Sequence, residues 1–87
     1  MVTKSDCIKV FNAMIRGTPI SFQEKILPII SEYLTENNIE NSEKMISLMI
    51  NNPGLVQQII PDVIKYYTNK YTILSIISNN KTILYYE

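Results

Sequence analysis

The stretch that decides the reading of this chain is its end, Tyr71-Thr-Ile-Leu-Ser-Ile-Ile-Ser-Asn-Asn-Lys-Thr-Ile-Leu-Tyr-Tyr-Glu87. Up to Lys70 the apolar side chains recur at helical spacing. From Tyr71 onward, β-branched and aromatic residues surround Asn79-Asn80, which reads as two strands about a two-residue turn. Asn accepts positive φ more readily than any residue but Gly, so the pair suits a type I′ turn. The expectation is a mainly α domain with a C-terminal antiparallel β-hairpin (α+β), helical over 3–69 and paired over 71–87. In that register Ser78 opposes Lys81, Ile76 opposes Ile83 and Leu74 opposes Tyr85. One face then carries Ile76, Ile83, Leu74 and Tyr85, and the other Ile73, Ile77, Leu84 and Tyr86. Both faces are apolar, whereas a hairpin packed on helices normally has one polar face. Ile73, Ile77, Leu84 and Tyr86 are therefore expected to meet a second copy, giving a homodimer through the hairpin, or another protein.

Working back from there, four helices are expected. Thr3 and Asp6 stand as a capping box for the first, whose stripe is Cys7, Phe11 and Met14 flanked by Ile8 and Ile15. Gly17 supplies its left-handed stop. Ser21 and Glu24 repeat the box for the second, with Phe22, Ile26, Ile29, Ile30, Tyr33 and Leu34 inward. The third runs from Asn41 or Ser42 to about Asn51, with Met45, Ile46, Met49 and Ile50 inward. Met45 and Met49 share a face that suits an adaptable groove as well as a core. Asn52-Pro53 is the start signal for the fourth, which carries Leu55, Val56, Ile59, Ile60, Val63, Ile64 and Tyr67. Pro28 and Pro61 are expected to kink or break helices two and four. Those helices also match at an offset of 33, Pro28 with Pro61, Tyr33 with Tyr66 and Thr35 with Thr68. In a chain with sixteen Ile the match is weakly distinctive.

Eighty-seven residues with 46% hydrophobic content make one domain, 1–87, with enough apolar material for a packed core. Sixteen Ile, nine Asn and seven Lys against one Ala and one Arg reflect AT-rich codons, as in a phage, a virus or a low-GC bacterium. One cysteine, no secretory h-region and no span-length apolar run lead to an expectation of cytoplasmic residence, in the host cytoplasm for a viral or phage protein.

The chain contains no histidine, which removes the commonest general base, the Ser-His and Cys-His nucleophiles and the commonest metal ligand. A single Cys excludes cysteine-rich zinc patterns. The two glycines, Gly17 and Gly54, stand too far apart for a phosphate-binding loop. No catalytic, cofactor-binding or metal-ligating residue is nominated, and the expectation is a protein that is not an enzyme.

Two features suit binding. Glu32, Glu36, Glu40 and Glu43 make the middle of the chain acidic between two mildly basic ends. That is either a solvated helix face or a patch that steers a partner with a basic surface. The leading expectation is a small protein–protein interaction protein, an adaptor, inhibitor or assembly factor acting by surface occupation. The alternative is a winged-helix DNA-binding regulator, with Gln57, Gln58, Lys65 and Asn69 on the last helix and Lys81 near the hairpin tip as contacts. Zero net charge and a single Arg argue against nucleic acid as the partner.

Overall fold

The computed structural model describes residues 2–73 in backbone and side chain, and the backbone alone of 74–78 and 81–85. Four α-helices follow one another: α1 Lys4–Arg16, α2 Leu27–Glu36, α3 Ser42–Asn51 and α4 Val56–Lys70. A π-helical turn, Phe22–Ile26, leads into α2, and a 3-10 turn, Pro53–Leu55, leads into α4.

The α+β class and its C-terminal hairpin are corrected to an all-α body: residues 2–73 are 78% helical, with four helices and no strand or sheet. The error is visible at Tyr71-Thr72-Ile73, read as the onset of a strand. The Ile73 N–H bonds the Thr68 carbonyl at 2.9 Å and the Thr72 N–H bonds Asn69 at 3.4 Å. This is the Schellman closure of α4, with Thr72 left-handed at φ 51°. Ile73, 5% exposed, belongs to the core rather than to an outward face. Strand propensity at these three residues yields to a helix cap and to burial. Beyond Ile73, Leu74–Ser78 and Lys81–Tyr85 are backbone segments running antiparallel, Leu74 opposite Tyr85. The faces assigned to Ile77, Leu84 and Tyr86, and the side chain of Lys81, lie outside the described residues.

The helix ends follow local chemistry. The Thr3 hydroxyl accepts from the Asp6 N–H, and the Asp6 carboxylate accepts from the Thr3 N–H, both at 3.1 Å. Such a cap is worth about 1 kcal/mol. α1 closes as α4 does, with Gly17 at φ 73° and the Thr18 N–H on the Ala13 carbonyl at 2.8 Å. α2 closes with Asn38 at φ 53° and the Ile39 N–H on Leu34 at 3.0 Å. One motif thus recurs three times with Gly, Asn and Thr in its left-handed position.

The prolines are absorbed differently. Before Pro28 the Ile26 N–H reaches back five residues to the Ser21 carbonyl at 3.3 Å. This wider turn gives the pyrrolidine ring room where an α turn would clash. α4 runs unbroken through Pro61, contrary to the break considered from sequence. Pro61 and Gln57, whose carbonyl loses its partner, are both exposed, which leaves that carbonyl on a side of the helix open to solvent. Asn52 and Pro53 open the helical turn that leads into α4, as expected, with the Leu55 N–H on the Asn52 carbonyl at 2.9 Å. The Asn52 side chain, however, does not cap that turn but closes α3, where the Asn52 backbone and side-chain nitrogens both donate to the Leu48 carbonyl.

The core is formed by Cys7, Ile8, Val10 and Phe11 of α1, Ile26, Ile29, Ile30 and Leu34 around α2, and Val56, Val63 and Tyr67 of α4. From α3 only Met49 is fully buried, with Met45 and Ile46 half-buried against the core. Ile15, expected inward, is 36% exposed, and Ile50 is 41% exposed.

Candidate functional site: a tyrosine–carboxylate seam and the exposed sides of α3

The acidic residues nominated from sequence separate into two groups. Glu32 and Glu36, one turn apart on α2, face α4. Tyr67 is fully buried, and its hydroxyl donates to Glu32 Oε2 at 3.0 Å and to the Ile29 carbonyl at 3.4 Å. Tyr66 Oη donates to Glu36 Oε2, and Lys70 Nζ pairs with Glu36 Oε1 at 2.5 Å. Rings stack behind these contacts. Tyr33 meets Tyr66 edge-on at 5.4 Å, Tyr66 meets Tyr67 at 5.0 Å, and Tyr67 lies nearly parallel to Tyr71 at 5.8 Å. The Lys70 ammonium stands 5.2 Å from the Tyr71 ring centroid, and the Tyr71 hydroxyl donates to the Val2 carbonyl at 2.9 Å. The tyrosines Tyr33 and Tyr66, matched in sequence at an offset of 33, are thus neighbours across the α2–α4 packing.

The electrostatics of the seam follow from these bonds. Hydrogen bonds from Lys70 and Tyr66 hold the Glu36 carboxyl below its ordinary value. The bond to Glu36 pushes the Tyr66 hydroxyl up and raises Lys70. Burial, then the bond to Glu32, pushes Tyr67 well above the usual phenol range. Every shift stabilises the resting protonation state, and none brings an acid or base close to neutrality. The seam therefore reads as a clamp between α2 and α4. Cys7 is likewise inert: it is completely buried, and burial raises its thiol to about 12. Among the described residues no group of three or more His, Cys, Asp or Glu gathers where a metal ion would sit.

Glu40 and Glu43 form the second group, exposed at the turn into α3 and on its first turn. Glu43 and Ile50, seven residues apart, share one side of that helix. Ile39, 38% exposed, precedes them. Among the described residues, three of the four large exposed hydrophobics, Ile39, Leu48 and Ile50, lie in or just before α3. On the other side of α3, Met45, Leu48 and Met49 face Leu55, Gln58, Ile59 and Asp62 across a groove of about 240 Å³. The sequence pattern identified the methionines of this groove but missed Leu48, because a lone apolar residue off the inward stripe carries no periodic signal. A further concavity of about 580 Å³ lies between α1 and the start of α2, with mixed charges: Asp6, Glu24 and Glu32 against Lys9 and Lys25.

The residues considered for DNA contact, Gln57, Gln58, Lys65 and Asn69, are all exposed on α4. Asp62 is exposed among them, and Lys70 is held by Glu36, so this face does not concentrate positive charge. No helix among the described residues is long and apolar enough to cross a membrane. No protein-family model, curated protein or solved structure matches this chain.

Proposed function

We propose that this chain is a non-enzymatic protein–protein interaction protein, an adaptor, inhibitor or assembly factor that works by occupying a partner's surface. The observation that carries this reading is α3. The helix has five large apolar residues: Met49 is buried, Met45 and Ile46 are half-buried against the core, and Leu48 and Ile50 are left exposed on opposite sides. A helix whose apolar side chains exceed what its own core uses is suited to burying them against another protein. Exposed Glu40 and Glu43 adjoin the Ile50 side, and a partner with basic residues around an apolar patch complements it. The carboxylates steer the encounter and Ile50 supplies contact area. Glu32 and Glu36 have no part in this surface, since the α2–α4 clamp uses them.

The test is capture from the native host on immobilised protein, comparing wild type with Ile50→Lys and with Glu40→Gln/Glu43→Gln. One partner should be retained by wild type and lost from Ile50→Lys. For the double Glu variant, association with that purified partner should slow and lose its salt dependence. A partner bound equally by all three proteins would remove α3 from the interface. Retention on a DNA or heparin column at low salt would favour the nucleic-acid reading instead.

A further inference from the structure

We infer that the groove on the other side of α3 is filled by a second copy of this chain, the two related by a twofold axis. This goes beyond the partner surface above and uses different residues. A twofold contact brings one patch against itself, so the patch must carry both a projection and a recess. Leu48, 46% exposed, stands on the α3 wall, and the recess beside it is lined by Met45, Met49, Leu55 and Ile59. At about 240 Å³ the recess is smaller than the roughly 300–1,000 Å³ typical of small-molecule pockets, and it suits an inserted side chain.

One charge in the groove and one beside it, on the Leu48 side of α3, select the occupant. Lys44 is one turn before Leu48 on the same side of α3. Asp62 lines the facing α4 wall. Both are exposed, and among the described residues neither has an ion-pair partner. A uniformly basic partner would set a cation against Lys44, and a uniformly acidic one would set an anion against Asp62. A twofold mate brings its Asp62 to Lys44 and its Lys44 to Asp62, so both are neutralised by one arrangement. The groove is lined by seven residues, fewer than the roughly 20–30 a side of a stable interface, so the pair should be weak.

Sedimentation equilibrium of the full chain, from roughly micromolar to roughly millimolar, tests this at concentrations where weak pairs form. The average mass should rise with concentration from 10.1 kDa towards twice that value. Leu48→Lys should weaken pairing by roughly ten- to a hundredfold, from the lost burial of one leucine per side. Lys44→Asp and Asp62→Lys should each weaken it by roughly three- to tenfold, and the double variant should recover it by restoring the pairs with signs exchanged. Far-UV circular dichroism melts confirm that each variant is folded, and Leu48→Ala replaces Leu48→Lys if the latter unfolds. A wild type that stays monomeric overturns the inference. A dimer indifferent to Leu48 also overturns it, as does a double variant no better than the singles. In any of these cases an Ile50-dependent partner would leave the function proposed above standing.

Discussion

Replacing Thr72 by Gly should make the protein more stable, although it deletes a side chain. Thr72 occupies the left-handed position that closes α4, at φ 51°, and it is exposed. An L-residue with a Cβ there crowds the following carbonyl, at about 1–2 kcal/mol, and branching at Cβ puts threonine at the upper end. Glycine removes that crowding but gives the unfolded chain more freedom, which takes back about 0.4–1 kcal/mol. The net gain is about 1–1.6 kcal/mol. For a chain of this size it should appear as a Tm higher by roughly 4–13 °C. Thermal and urea melts followed by far-UV circular dichroism measure it. Thr72→Ala, which keeps Cβ but loses the branch, should gain less. The mirror experiment is Gly17→Ala at φ 73°, where no atom beyond the two chain neighbours lies within 4 Å of the added Cβ. Its loss of about 1 kcal/mol would therefore be conformational alone. If Thr72→Gly lowers the urea midpoint at an unchanged m-value, the strain argument is wrong.

Two further outcomes concern the seam. Tyr67→Ala should remove about 3–5 kcal/mol, a large share of the roughly 4–13 kcal/mol expected for a domain of this length, whereas Tyr67→Phe should cost about 1 kcal/mol through the bond to Glu32. Urea unfolding distinguishes them, and equal losses would show that the hydroxyl rather than the ring holds α2 to α4. Because Glu36 is held below its ordinary 4.5, its contribution is present above that pH and is lost as the pH falls through the depressed folded value. Stability measured below pH 4.5 should therefore fall less steeply for Glu36→Gln than for wild type, and parallel profiles would show that the Lys70 and Tyr66 bonds do not form in solution.

The sequence by itself determined the elements that local chemistry controls. The Thr3–Asp6 box, the Ser21 cap, the Gly17 stop and the spans of α1 and α3 follow from side chains that satisfy nearby backbone groups. No distant partner is needed for any of them. The inward stripe of α1 was legible for the same reason, since period and composition agreed there. Tertiary structure decided the rest. Tyr71-Thr72-Ile73 has strand composition, yet it closes a helix because Ile73 gains more from the core than its β-propensity offers. Pro61 lies within α4 because the Gln57 carbonyl it leaves unpaired is on an exposed side of the helix, which depends on which side is covered. The four nominated glutamates are identical in kind. Only the approach of α4 makes two of them parts of a clamp and leaves Glu40 and Glu43 exposed. The surplus on α3 was hidden for a related reason: apolar spacing shows which residues are able to be buried, while the number of neighbouring helices decides which ones are.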